Sequence, residues 1–334
     1  MQPNHWKEAI SASPGPRSKN EFLILYLKAF CMGVADLIPG VSGGTIAFIT
    51  GIYENMLDAV SSVNKRSLSA LLRFDIKGFL GIVHIRFLIP LLGGILSAVF
   101  ILARLMHYLI REEPIPTWAT FFGLIAASII IIFKELDRPK SAKNLVPLVV
   151  GAIFAWLMVS LIPVDTPTEF WFIYLCGIIA ITAMILPGLS GSFLLLILGK
   201  YEYITGAVKS PFSDGHMIIL LIFVAGTITG IGGFTRILNW FLKHYRSETM
   251  AFLTGILIGS MKKIWPWKEI LETKVVRGKV RVLRDANIMP SEFNGEVAAA
   301  IILCIAGFAA VLWMESKSRG AHQVNRVDNK SKTA

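Results

Sequence analysis

The residues whose types and spacing could do chemistry fall in two short stretches. In "DLIPGVSGGTIAFITGIYE", from Asp36 to Glu54, an apolar run is broken by Pro39-Gly40 and then by Ser42-Gly43-Gly44-Thr45. In "LPGLSGSFLLLILGKYE" the same break recurs as Pro187-Gly188 followed by Ser190-Gly191-Ser192. Hydroxyls, and glycines that let another group approach the backbone, are what an oxyanion needs once it leaves water. Proline suits the first turn of a helix, so new helices are expected to start near Gly40 and Gly188. Their free N–H groups and positive dipole ends would favour a phosphate or a carboxylate. The competing reading is that small residues merely let two kinked helices pack closely.

The duplication favours a shared site. Pro39 and Pro187 stand 148 residues apart, and the match runs on through Gly51/Gly199 to Tyr53-Glu54/Tyr201-Glu202. A second block lays "ARLMHYL" from Ala103 on "TRILNWF" from Thr235, placing Arg104 on Arg236, Gly123 on Gly255 and Ser128 on Ser260. Each half reads as a short apolar segment, the break, a second apolar segment and three further helices. Whether the broken segments cross separately or fold back, each half crosses an odd number of times. That inverts the second half, a plan common in secondary transporters, and brings both breaks to the midplane.

Charged residues within the apolar runs need an explanation. An arginine at the centre of a membrane helix costs roughly 2.5–3.5 kcal/mol, so Arg104 and Arg236 require water, a partner or a ligand. A continuous helix from Pro39 would carry Glu54 about 22 Å toward one surface, and Glu202 correspondingly toward the other. Glu54 is then expected beside Arg236, and Glu202 beside Arg104. The alternative is that all four lie at the lipid–water boundary. Asp36 has no counterpart, Met184 standing in its place, and is either a proton site or a cap. The cysteines Cys31, Cys176 and Cys304 lie in apolar runs, and neither they nor the scattered histidines have metal-ligand spacing. No metal and no cofactor is expected.

The elements that must position these residues follow from composition. Of 334 residues, 54% are hydrophobic and 16% charged, with a mean hydropathy of +0.63, which is the composition of a membrane protein. Apolar runs at 87–110, 117–133, 145–162, 169–186, 217–242 and 296–314 each approach the ~20 residues that cross a bilayer. The expected fold is an all-α polytopic membrane protein, an inverted internal repeat with two broken or re-entrant helices. Residues 1–20 are polar with no apolar signal core, so no cleavable signal peptide is expected and the N-terminus is placed in the cytoplasm. The first repeat is drawn at 21–163, the second at 164–314, and a basic tail at 315–334.

The net charge of +11 calls for orientation and anionic lipid head groups rather than nucleic acid, because Lys and Arg gather in loops. Lys65, Arg66, Arg73, Lys77 and Arg86 form one such loop, and Lys134, Arg138, Lys140 and Lys143 another. The segment Lys262–Glu292 opposes this scheme, being basic yet assigned outside. Its "KVVRGKVRV" alternates valine with charge about Gly278, so an extramembrane hairpin within 262–295 is expected.

At these motifs the chain resembles the bacterial polyprenyl-phosphate (undecaprenyl-phosphate) transporter family, formerly a domain of unknown function. The resemblance covers about Phe22 to Met314. It implies return of undecaprenyl phosphate, the carrier of cell-envelope precursors, across the cytoplasmic membrane. It also implies phosphate contacts at Ser42, Gly43, Gly44 and Thr45 with Ser190, Gly191 and Ser192, with Phe193 in the place of Thr45. Asp36, Glu54 and Glu202 become candidate coupling carboxylates. Polyprenyl phosphate and the surrounding membrane lipids are the expected partners, and the oligomeric state is open. A phosphatase acting on undecaprenyl diphosphate shares a Pro-Gly-x-Ser-Arg-Ser motif. Here Gly43 and Gly191 replace that arginine, and no carboxylate cluster is present to activate water. A small-anion transporter using the same helix ends is a third reading.

Overall fold

The computed structural model describes residues 13–37, 42–139, 141–161, 166–213, 215–276 and 279–331. Pro39, Gly40, Asp165 and Gly278 therefore lie outside the described residues. The molecule is mostly helical, and its helices come in an order that recurs. In the first half α1 (Lys19–Asp36) is followed by the short α2 (Gly43–Ile49) and α3 (Tyr53–Ser61). Two surface turns of helix, α4 (Lys65–Leu72) and α5 (Ile76–Ile82), lead to α6 (Ile85–Glu112), α7 (Pro114–Glu135) and α8 (Ala142–Val159). The second half runs α9 (Phe170–Ile185), α10 (Gly191–Ile197), α11 (Tyr201–Lys209), α12 (His216–His244) and α13 (Arg246–Ser260). Strands β1 (Lys268–Val276) and β2 (Lys279–Asn287) precede α14 (Gly295–Ser331), so the segment drawn as a tail continues a helix.

Local chemistry sets these boundaries. Ser18 caps α1 by accepting from the Glu21 N–H, Asn64 and Ser67 form a capping box on α4, and Pro114 opens α7. The short helices α2 and α10 end alike. Gly51 has φ +71° and Gly199 φ +63°, the left-handed conformation that glycine adopts without a Cβ clash. Around them Ile52 N bonds Ala47 O at 3.0 Å and Lys200 N bonds Leu195 O at 2.8 Å, while Gly51 N bonds Phe48 O and Gly199 N bonds Leu196 O. This is the Schellman arrangement that closes a helix C-terminus.

Two expectations are corrected. No continuous helix carries the chain from the break to Glu54, because α2 stops after seven residues and α3 starts afresh at Tyr53. The run at 169–186 yields a helix of 16 residues, about 24 Å and short of a bilayer core. Among the described residues five helices are long and apolar enough to cross: α6, α7 to Lys134, α8, α12, and α14 to Trp313. Their outward faces are apolar, as Phe100 and Ile101 on α6 and Leu221 and Ile228 on α12 illustrate. The chain is a multi-pass membrane protein.

Packing repeats as well. In the first half α1 lies on α6, and in the second α9 lies on α12; between halves, α7 pairs with α14 and α8 with α13. Each interface is built on glycine. A Cβ on Gly123 would sit 1.9 Å from Cys304 O, and one on Gly255 2.0 Å from Leu148 O. The α9–α12 pair closes the same way, with a Cβ on Gly226 2.0 Å from Tyr174 O. In lipid, where apolar surface gains nothing from leaving water, such backbone approach is what binds helices. Beyond α13 the valine-rich segment forms a two-stranded antiparallel ribbon in which Val276 faces Lys279 and Lys268 faces Asn287.

Candidate functional site

The two breaks meet. Ser42 is the N-cap of α2 and Ser190 the N-cap of α10. Ser42 Oγ donates to Met184 O at 3.1 Å, the Tyr53 hydroxyl donates to Ile185 O at 2.8 Å, and Gly188 N donates to Thr45 Oγ1 at 2.8 Å. All three bonds join one half to the other. Close approach is required here: a Cβ on Gly44 would lie 2.8 Å from Met184 O, and one on Gly191 2.4 Å from Ala180 O. Gly188 has φ +85° and backs onto Ser260, the last residue of α13. The left-handed Gly188 cannot open a helix, so α10 begins three residues after it, at Gly191, rather than near Gly188 as proline alone suggested.

The two helix starts differ in how their N–H groups are used. At α2 the Asp36 carboxylate accepts from Gly43 N at 2.7 Å, Ser42 Oγ accepts from Gly44 N at 3.1 Å, and Thr45 N bonds Ser42 O. These donors are therefore occupied, and Ser42, Gly43, Gly44 and Thr45 are all buried. Asp36 thus caps the turn, one of the two roles its position left open, and α2 runs back along α1. Its last turn ends where Lys28 Nζ donates to Thr50 O at 2.7 Å. At α10 no side chain caps the start, Ser190 Oγ and Ser192 Oγ lie 2.9 Å apart, and Ser192 is exposed. Met184, in the place of Asp36, has no carboxylate to offer.

The charged residues fall differently from expectation. Arg104 and Arg236 both point outward from the protein, and neither is tied by a hydrogen bond or ion pair to another described residue. Glu54 pairs with Arg246, not Arg236, at 2.8 Å from Nη2 and 3.0 Å from Nε. Its neighbour Asp58 accepts from Asn239 at 3.1 Å and faces Lys243 at 4.0 Å. The shift by ten residues follows from the early end of α2, which leaves Glu54 at the start of a separate helix beside the α12–α13 corner. Glu202 lies in the first turn of α11, the matching position.

Sequence reasoning missed several contributors. Lys200, nearly fully buried, donates to Thr166 O at 2.6 Å, and Thr166 in turn donates to Leu198 O at the end of α10. Each half thus holds an ammonium near the end of its short helix, supplied by α1 in one and by the corner itself in the other. The aligned pairs Lys28/Cys176 and Ile52/Lys200 carry this exchange and are visible once the halves are superposed in sequence. Tyr53 is aligned with Tyr201 but was read only as part of the repeat.

No solved structure matches this chain significantly. A relative from Vibrio cholerae named polyprenyl-phosphate transporter is 41% identical, with 88% of this chain and 96% of that protein covered. One from Staphylococcus aureus with the same name is 31% identical, covering 72% of this chain and 85% of its own length. The family described as undecaprenyl phosphate translocase-like matches residues 32–280, a span that holds both breaks and the inter-half bonds between them. The chain belongs to the undecaprenyl phosphate translocase-like family.

Proposed function

We propose that this protein carries a polyprenyl phosphate, of the undecaprenyl class, across the bacterial cytoplasmic membrane. In this reading the halves are inverted repeats, 21–163 and 164–314, and α2 and α10 are re-entrant. The recurring helix order and the run of α2 back along α1 support that plan. The polarity of the ends supports it too. Glu54, Asp58, Lys243, Arg246 and the loop after α7 gather at one end, where Ser247 Oγ reaches Asp137 O. The α7 start, the α8 end and the ribbon gather at the other, where Lys262 Nζ reaches Ser160 Oγ at 2.7 Å. The first end is assigned to the cytoplasm with the N-terminus.

The observation that carries the reading is the direct bonding of one break to the other, Thr45 to Gly188 and Ser42 to Met184. A phosphate held between Ser42, Gly43, Gly44 and Thr45 on one side and Ser190, Gly191 and Ser192 on the other would replace those bonds. The isoprenoid would remain in lipid. Asp36 already supplies an anionic oxygen to Gly43 N, so it competes with the phosphate for that donor, and a neutral Asp36 would yield it more readily. Asp36 is therefore the first coupling candidate, ahead of Glu54 and Glu202. In this reading the outward-facing Arg104 and Arg236 attract lipid phosphates before they reach the break.

The test is a leaflet assay in liposomes with a labelled polyprenyl phosphate. Wild-type protein should equilibrate the label between leaflets, Ser42→Ala/Ser190→Ala and Arg104→Ala should slow it, and Asp36→Asn should change its dependence on a pH gradient. Wild-type protein that leaves the label in place would end the proposal. Release of inorganic phosphate from undecaprenyl diphosphate would move the protein to the phosphatase class.

A further inference from the structure

The basic segment after α13 opposes the charge rule, and its side chains give a reason. α13 ends at Ser260 against the Gly188 turn, and the chain then runs through Lys262, Lys263, Trp265 and Trp267 into the ribbon. Three lysines converge there on an aromatic wall: Lys262 Nζ lies 4.6 Å from the Trp156 ring centre, Lys263 Nζ 4.9 Å from that of Phe193, and Lys268 Nζ 5.8 Å from that of Trp118. The Asp285 carboxylate bridges two of them, 3.2 Å from Lys268 and 3.6 Å from Lys263. The side chains of Lys268 and Lys263 are only 17% and 25% exposed, so water does not screen this charge fully. One carboxylate among three ammoniums leaves an excess of positive charge in an apolar surround. Trp267 adds a buried indole N–H with no acceptor among the described residues.

Resting on the transport reading above, we propose that the base of the ribbon is a receptor for a phosphate monoester dianion. Lys263 and Lys268 give up Asp285 and take the phosphate in its place, beside the break. Phe193, under the Lys263 ammonium, is the next residue after the exposed Ser192, so a phosphate leaving these lysines is delivered to the open half of the site. Asp285 acts as a tethered stand-in for the anion. It keeps the lysines paired until a ligand arrives, and it makes weakly anionic lipids poor competitors. The protonation balance agrees with an excess of positive charge. Burial would raise the Asp285 carboxyl, but Lys263 and Lys268 together hold it below its usual range. Burial, and then the neighbouring Lys263, lower Lys268.

The test uses the full-length protein in detergent, with tryptophan fluorescence reporting binding of a short-chain polyprenyl monophosphate, the matching polyprenol, or inorganic phosphate. Lys263→Met/Lys268→Met should weaken monophosphate binding about tenfold or more, the scale of a charge-assisted hydrogen bond, and leave polyprenol binding unchanged. Asp285→Asn should tighten it. A purely structural role for the cluster requires the opposite sign, since removing Asp285 would then loosen the ribbon and weaken binding. Inorganic phosphate binding with the same dependence on the lysines would support the receptor and name free phosphate as its source. Wild-type affinity in the double lysine variant, or weaker binding in Asp285→Asn, would overturn the proposal. The liposome assay is run alongside on wild type, so that failure of transport itself is told apart from failure of this receptor.

Discussion

Replacing Thr45 by valine isolates the bond that ties the two breaks together. Valine keeps the branched shape of a residue that is completely buried, and removes only the Oγ1 that accepts from Gly188 N at 2.8 Å. Gly188 is itself buried, and its φ of +85° is held by the turn from Leu186 to Leu189. Its N–H would be left without an acceptor in a region that water and lipid do not reach. Such a group costs about 1–3 kcal/mol, and the lost bond is already counted within that figure. Thr45→Ser keeps the acceptor and loses a methyl, costing on the order of 1 kcal/mol. Thermal unfolding in detergent should therefore rank wild type first, Thr45→Ser next and Thr45→Val last. If Thr45→Val melts with the wild type while Thr45→Ser melts lower, the methyl contact holds the breaks together and the hydrogen bond does not.

Four further expectations follow from the same geometry. Gly123→Ala should disrupt the α7–α14 pair by about 3 kcal/mol or more, because the carbonyl of Cys304 occupies the space a Cβ needs. Gly233→Ala, with nothing within 4 Å of an added Cβ, should leave the detergent melting temperature unchanged or slightly raised. Glu54→Gln should cost no more than about 1 kcal/mol, since its pair with Arg246 is exposed, and a charge-swapped double variant should recover what is lost in the melt. Asp285, whose folded-state pKa lies below its ordinary value, contributes stability that is complete above the usual carboxylate range near pH 4 and is lost as pH falls through the lowered value. Tryptophan fluorescence from Trp265 and Trp267 should report this acid transition, and Asp285→Asn should flatten it.

Much of the architecture was legible because the repeat repeats its punctuation. Pro-Gly-x-Ser-Gly, recurring ahead of Gly51 or Gly199 and Tyr-Glu, marks the two breaks and the apolar segments that flank them. The stop at Gly51 was open to reading as well, since a glycine aligned with a glycine ahead of a polar pair is a helix-end signal. Treating the span as one helix is what misplaced Glu54 against Arg236. The ribbon was readable from valine alternation about a glycine. The Lys263–Asp285–Lys268 bridge was not, because its register depends on an irregularity near Glu272. Asp36 was ambiguous for a physical reason. A carboxylate before a break can cap, titrate or do both, and only the position of Gly43 N shows that this one caps. The pairing of α7 with α14 left no local trace, since side chains three or four apart report one helix face and not its distant partner.

The exchange of partners between halves bears on how the chain is made and how it moves. α7 and α8 emerge from synthesis long before α14 and α13, so the first half waits in the bilayer with its glycine seams open until the end of the chain arrives. A fragment ending at the midpoint has nothing to close those seams and should be cleared by proteases. In the mature protein, tilting one sequence half against the other would tear two seams apart. Motion that leaves these seams closed is instead motion of the four-helix group of α7, α8, α13 and α14 against the two arms that carry the breaks, and a passage for the lipid is expected along the borders between them.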